Sequence, residues 1–258
     1  MGVNNPRPEN KTKPGRYFTT IELQSNKKIS CWYIPADSTG YGNSIAKGTV
    51  VLFHGYSGGK ALMQDNAAEF LRMGYNTVLV DFMGSGGSEG NQTTIGYKEA
   101  EEVKTVFDYL AAKREKNIYL FGSSMGAVAI LKAVEDYQLS AKGMIIECPF
   151  GSMYQTVCAR FSIMHVPSFP MAALLVFWGG AQNGFWAFGH NPTEYAKKVK
   201  CSTLLMYGEQ DKNVSRGETD EIYTNLAGPK KLKIFKFTGH ENFLAKNHDE
   251  WLKVCQIF

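Results

Sequence analysis

Residues 117–126 read Asn117-Ile118-Tyr119-Leu120-Phe121-Gly122-Ser123-Ser124-Met125-Gly126. An apolar run of strand length enters a Gly/Ser turn, and residues 125–137 leave it with the apolar periodicity of a helix. Strand, tight turn and helix in that order form one unit of a parallel-sheet architecture. Working outward, the same texture recurs. Residues 49–53 end in His54-Gly55, 76–80 in Asp81, 144–146 in Glu147, 203–207 in Gly208, and 232–237 in Thr238-Gly239-His240. Runs that are apolar at nearly every position need cover on both faces, which a parallel sheet between helices provides. Helical patterns fill the gaps at 61–73, 95–113, 216–226 and 243–255, with Thr93-Thr94 as candidate caps of the second. The alternation predicts a doubly wound, mostly parallel α/β sheet with right-handed crossovers. Upstream, residues 18–23 and 29–34 alternate in polarity around Ser25-Asn26, which predicts antiparallel N-terminal strands. Residues 37–43 read as a loop.

One segment departs from this rhythm. Between residues 161 and 195 only Glu194 carries a formal charge, and Phe169, Phe177, Trp178, Phe185 and Trp186 crowd it. Its longest clean apolar run, 171–178, is far short of the ~20 residues a membrane span needs. Prolines 167 and 170 and glycines 179, 180 and 184 interrupt the rest. The expectation is a small apolar insert, about 150–195, packed over the sheet as a cap, with no membrane contact. Residues 1–16, rich in Pro, Asn, Lys and Arg, are expected to form a mobile or draped tail, and 17–258 one domain.

Net charge is only +4, and the lysines come in pairs such as Lys197-Lys198 and Lys230-Lys231, never in a run. That argues against a nucleic-acid surface. None of the five cysteines forms a CxxC pair or has zinc-type spacing to histidine. No disulfide framework and no metal site are expected, and the pattern leans toward a reducing compartment. The start has no basic-then-apolar leader, and Pro6 breaks the myristoylation pattern that Met1-Gly2 opens. A cytoplasmic chain is the default expectation. An exported chain whose leader had been removed would read the same way. Oligomeric state is not legible.

The chemistry-bearing residues stand at the strand ends. Gly122-x-Ser124-x-Gly126 between a strand and a helix is the pattern of a nucleophile elbow, in which a sharp turn exposes the middle serine. Ser123 is excluded by the spacing from both glycines. A helix N-terminus at Met125 sets a positive partial charge beside Ser124. The glycine-rich 54–59 turn can bring backbone N–H groups to a substrate oxygen, with Tyr56 as one donor and Met125 as the other. His54 is expected to hold that turn rather than react. His240 ends the last strand run, and His165 and His190 flank the insert, where they are expected to cap its polar edges.

These landmarks, together with Asp81-x-x-Gly84-x-Gly86-x-Ser88 and Gly208-Glu209-Gln210-Asp211, resemble the ordered motifs of the α/β-hydrolase superfamily. Within it the chain looks like the compact serine hydrolases of the Bem46-like and prolyl-oligopeptidase-related group. The resemblance runs from about residue 47 to the C-terminus and implies the α/β-hydrolase fold. It also implies a catalytic triad of Ser124, Asp211 and His240 in the chain order of that fold, with no cofactor. Glu147 also ends a strand near the elbow, so it is the alternative acid, or else a buried structural carboxylate. Met83 stands where the family carries arginine, which implies a missing structural ion pair. The implied reaction is acyl transfer to water, and the apolar insert points to a small carboxylic ester with an apolar or acyl-chain part as substrate. A serine peptidase, a thioesterase and a non-catalytic binding protein on the same scaffold are the competing readings.

Overall fold

The computed structural model describes residues 3–4, 7–36 and 46–257, so the expected loop at 37–43 lies outside the described residues. The strands are β1 (Val3–Asn4), β2 (Thr19–Gln24), β3 (Lys28–Ile34), β4 (Thr49–Phe53), β5 (Asn76–Val80) and β6 (Gln92–Thr93). They continue as β7 (Ile118–Ser123), β8 (Gly143–Glu147), β9 (Ser202–Gly208) and β10 (Lys230–Phe235). The helices are α1 (Gln64–Arg72), α2 (Glu99–Ala112), α3 (Met125–Tyr137), α4 (Met153–Ile163) and α5 (Met171–Asn183). After them come α6 (Pro192–Tyr195), α7 (Arg216–Asn225), α8 (Phe243–Lys246) and α9 (His248–Ile257).

Eight strands form one sheet in the order β10-β9-β8-β7-β4-β5-β3-β2. From β10 to β5 every pairing is parallel, and β3 pairs antiparallel with both β5 and β2. This is the α/β-hydrolase fold, mostly parallel with an antiparallel N-terminal hairpin. Register explains the two-sided burial. Val51 pairs with Val78 and Leu120 on one face, while Leu52 pairs with Leu79 and Phe121 on the other. The first set packs with α2 and α3 side chains such as Val103 and Ile130. The second packs with Phe70 of α1 and Trp251 of α9. All five residues of β4 are buried, and each such apolar side chain stabilises the fold by roughly 1.5–3 kcal/mol.

Element ends depart from the sequence pattern where a local polar contact wins. The helix expected from residue 95 begins at Glu99, because Ile95 and Gly96 take positive φ. The buried Glu99 carboxylate binds the Thr93 and Thr94 hydroxyls and the Thr94 and Gly96 amides, while the Thr94 hydroxyl accepts the Lys98 amide. The C-terminal helix is broken at Asn247, whose side chain donates to the Thr238 hydroxyl instead of pointing to solvent. The last strand stops at Phe235, two residues early, as Phe237 turns at φ 57°.

The N-terminal segment lies along the body. Asn10 donates to Asp81 and accepts from the Ala61 amide, and the Pro8 carbonyl accepts the Gly86 amide. Asp81 is itself fully buried and paired with buried Lys60 at 2.8 Å. Asp81 thus has Lys60 as its cation, while Met83 in the same turn brings no charge.

Residues 150–195 leave the sheet between β8 and β9 and carry α4, α5 and α6. The insert buries Ala172, Val176, Ala187 and His190, but much of its apolar surface faces outward: Phe169 is 78% and Trp178 59% exposed, and α4 has no fully buried residue. α5 is apolar on all sides, so one face against α4 leaves the other uncovered. Among the described residues no helix is long and apolar enough to cross a membrane.

Candidate active site

Parallel strands put their C-terminal ends on one edge of the sheet, where ligands of open α/β sheets bind. Here that edge carries Ser124 after β7, Glu147 at the end of β8, Asp211 after β9 and His240 after β10. Ser124 sits at φ 51°, ψ −112°, in backbone that L-residues rarely adopt. Its amide donates to the Glu147 carbonyl at 2.8 Å, which fixes the turn against the neighbouring strand. The flanking glycines are required by close approach. A Cβ at Gly122 would lie 2.6 Å from the Ala127 nitrogen, and one at Gly126 would enter the Phe53 carbonyl.

His240 Nε2 lies 2.9 Å from the Ser124 hydroxyl oxygen, and its Nδ1 lies 2.7 Å from Asp211 Oδ2. The other Asp211 oxygen, Oδ1, accepts the Asn213 and Val214 amides at 2.7 and 3.0 Å. The carboxylate is therefore an acceptor on both oxygens, so Nδ1 must donate and the Nε2 lone pair must face Ser124. In that tautomer the imidazole can take the serine proton, and the Asp211 carboxylate, whose side chain is fully buried, stabilises the resulting cation. The structure brings together the three residues that the resemblance grouped. The fourth, Glu147, is elsewhere engaged. Its carboxylate accepts the Trp251 indole N–H at 2.9 Å, and burial pushes its pKa up to about 7.

The glycine-rich turn closes over the elbow. A Cβ at Gly55 would stand 3.5 Å from the Ser124 Cβ. Met125 opens α3, so its N–H has no acceptor within the helix. Among the described residues neither it nor the Tyr56 N–H is given to another backbone carbonyl. His54 is fully buried, with Nδ1 2.7 Å from the Gly55 carbonyl and Nε2 accepting the Phe82 amide at 3.2 Å. Both ring nitrogens are used, and burial lowers its pKa, so it braces the turn as a neutral ring. His190 is likewise buried, Nε2 donating to the Ile95 carbonyl and Nδ1 accepting from the Tyr195 hydroxyl; burial lowers its pKa to about 4. It ties the insert to the 93–96 turn. His165 is exposed in the turn between α4 and α5.

Cys148, Asp211 and His240 offer ligand atoms within 4.8 Å of one another. Asp211 and His240 already satisfy each other, and burial pushes the Cys148 thiol well above its ordinary value. The set is thus arranged as a hydrogen-bonded couple beside a neutral thiol, and a cation there would have to break the bond that orients His240.

Two clefts meet at Ser124. One, about 820 Å³, runs under the insert past Ile95, Phe150, Val157, Val176 and Phe185. The other, about 350 Å³, is the more polar of the two and passes His54, Asn66, His240 and Asn242.

Residues 44–177, a little over half of the chain, match the family described as serine aminopeptidase, S33. The chain belongs to that family. Among curated relatives of this S33 chain, the uncharacterized protein YqkD of Bacillus subtilis is 26% identical over 214 residues, covering 81% of this chain and 70% of that protein. The lysophosphatidylserine lipase ABHD12 of Gallus gallus is 23% identical over 198 residues, covering 72% of this chain. The chain spans about half the length of that lipase, 49%. Among solved structures, the Pyrococcus furiosus esterase Pf2001 superposes with a TM-score of 0.79 at 20% identity, covering 99% of this chain and 95% of that one. That likeness is one of fold.

Sequence reasoning missed four residues of this neighbourhood. Lys60, through its ion pair with Asp81, and Glu99, through hydrogen bonds to Thr93, Thr94 and Gly96, are buried anchors of the two turns that flank the elbow, and a charged residue beside or within a helical stretch reads as surface. Arg160 and Asn66 line the clefts from helices and have no motif to mark them.

Proposed function

We propose that this chain hydrolyses small carboxylic esters of apolar acyl groups, with Ser124 as nucleophile, His240 as general base and then acid, and Asp211 holding the His240 tautomer. The observation that carries this reading is the unbroken Ser124–His240–Asp211 hydrogen-bond chain at the junction of a strongly apolar cleft and a more polar one. His240 takes the Ser124 proton as Oγ bonds to the carbonyl carbon. The Met125 and Tyr56 amides receive the developing oxyanion, each contributing about 3 kcal/mol of barrier lowering. His240 then protonates the departing alkoxide, and a water, deprotonated by the same ring, releases the acid. Residues 150–195 act as the cap that shapes the acyl cleft, within a domain running from 17 to 258.

An aminopeptidase needs a carboxylate for the substrate ammonium. Among the residues lining the clefts, Glu147 is buried against Trp251 and Glu241 is tied to Lys246. Neither is free, which favours esters over N-terminal peptides. The printed activities of an esterase and of a lysophosphatidylserine lipase among the similar proteins point the same way. The test is hydrolysis of p-nitrophenyl esters from acetyl to hexadecanoyl by the parent and Ser124→Ala. Rates that rise with acyl length and fall in the variant by about 10⁴-fold or more are expected. Activity retained in Ser124→Ala rejects the nucleophile, and a flat length profile rejects the apolar acyl cleft.

A further inference from the structure

An ester bound with its carbonyl at Ser124 has two arms, one on the acyl side and one on the alcohol side. The 820 Å³ cleft is the more apolar one, so the proposed ester reading, on which this inference rests, puts the acyl chain there and leaves the smaller, more polar cleft to the alcohol. Among the described residues, Tyr56, Ser57, Ser124 and Arg160 alone line both clefts. Arg160 and Ser124 thus both stand where the two clefts join. Among the described residues Arg160 is the one charged side chain lining the more apolar cleft.

Its charge has no carboxylate partner among the described residues. Arg160 donates to the Asn213 side-chain oxygen, a neutral acceptor. A guanidinium carries five N–H donors in a rigid fork, so most remain for a ligand. The smaller, more polar cleft offers a second unused donor. Asn66 is 2% exposed, lines the cleft, and its Nδ2 is buried with no hydrogen-bond partner among the described residues. Buried donors in native proteins are nearly always satisfied, so an open one in a cleft marks a place for an acceptor. The acids of this cleft do not cancel the guanidinium: Glu241 is bound to Lys246, and Glu147 to Trp251.

We propose that Arg160 and Asn66 form an anion subsite on the alcohol side of the scissile ester, so that the preferred substrates are acyl esters whose alcohol carries a phosphate or carboxylate. Bidentate guanidinium bonds to such oxyanions are shorter and stronger than neutral ones. The bland alternative makes Arg160 a latch from the insert to the Asp211 loop through Asn213, with no contact to substrate.

A matched series separates the two: 2-(hexanoyloxy)ethyl phosphate, hexanoyl glycolate, 2-(hexanoyloxy)ethanol and hexanoylcholine. The parent is expected to show kcat/KM about 10- to 100-fold higher for the two anionic esters than for the neutral one, mostly through KM, and lowest for the choline ester. The phosphate and carboxylate arms decide which oxyanion is preferred. In Arg160→Gln the anionic-to-neutral ratio collapses toward one, and in Arg160→Lys it recovers in part. Asn213→Ala, which cuts the latch and keeps the charge, preserves the ratio. Asn66→Asp, which replaces the donor by an acceptor, lowers it. The proposal is overturned if the parent shows no preference for the anionic esters, or if Arg160→Gln and Asn213→Ala slow all four esters alike. If no ester in the series is cleaved, the ester reading itself has failed.

Discussion

Replacing Glu147 by glutamine separates the two carboxylates that end strands beside the elbow. Glu147 is buried, and its pKa is raised from 4.5 to about 7, first by burial and against the opposing effect of the Trp251 hydrogen bond. A carboxyl with a raised folded-state pKa holds its proton in the native chain over a window where the unfolded chain has lost it. Stability from this group is thus full below pH 4.5, falls as pH rises through the window, and is at its lowest above pH 7. Raising the carboxyl from 4.5 to about 7 corresponds to roughly 3 kcal/mol at about 1.4 kcal/mol per unit. Glutamine is neutral at every pH, and its side-chain oxygen can still accept the Trp251 N–H. The difference in unfolding free energy between Glu147→Gln and the parent should therefore grow in the variant's favour by about 2–3 kcal/mol between pH 5 and pH 8. Urea unfolding at the two pH values, read by Trp fluorescence, measures it. A difference that is the same at both pH values would falsify the claim that Glu147 is protonated in the fold. Ester hydrolysis on the same protein supplies the second reading. With Asp211 as the acid, kcat/KM at pH 8 stays within a few-fold of the parent. A folded Glu147→Gln chain that has lost about 10³-fold or more in rate would transfer the acid's role to Glu147.

Three further perturbations probe other parts of the site. Asp211→Asn gives Oδ2's place to an amide that can donate to Nδ1, which favours the wrong His240 tautomer. A fall in kcat of about 10⁴-fold with an unchanged melting temperature is expected, and near-parent turnover would exclude Asp211 from the proton relay. Lys60→Met leaves the Asp81 carboxylate buried without its cation and should cost about 3–5 kcal/mol in a denaturant titration; a loss under about 1 kcal/mol would mean the amides of Lys60 and Gly87 suffice for Asp81. Gly179 lines the acyl cleft with nothing within 4 Å of an added Cβ. Gly179→Phe is therefore expected to keep the fold and to lower kcat/KM for dodecanoyl relative to butanoyl esters by about tenfold or more. An unchanged length profile would place the acyl chain somewhere else.

Periodicity alone determined the layered sheet, because β4, β7 and β9 are apolar on both faces and only a helix-covered parallel sheet hides both. Ser124 was legible for the same reason: a strand, a two-glycine turn and a helix leave one exposed position, and Gly122 and Gly126 are dictated by contacts with Ala127 and Phe53 that the turn itself creates. Asp211 was legible only by likeness, since an aspartate after a strand is also an ordinary turn residue. The resemblance ranks it above Glu147, and the tertiary structure adds a physical ground for that ranking: Trp251, 104 residues away, occupies the Glu147 carboxylate, and the Asn213 and Val214 amides hold Asp211 within reach of His240. The same holds for Lys60, which meets Asp81 only when α1's leading turn docks on the hairpin, and for the insert, whose apolar composition did not reveal that half of it faces outward. Motifs record constraints local to a turn, and those the sequence carried in plain view. Side chains that meet across the sheet's edge answer to packing, and no spacing along the chain encodes where Arg160 and Asn66 come to lie.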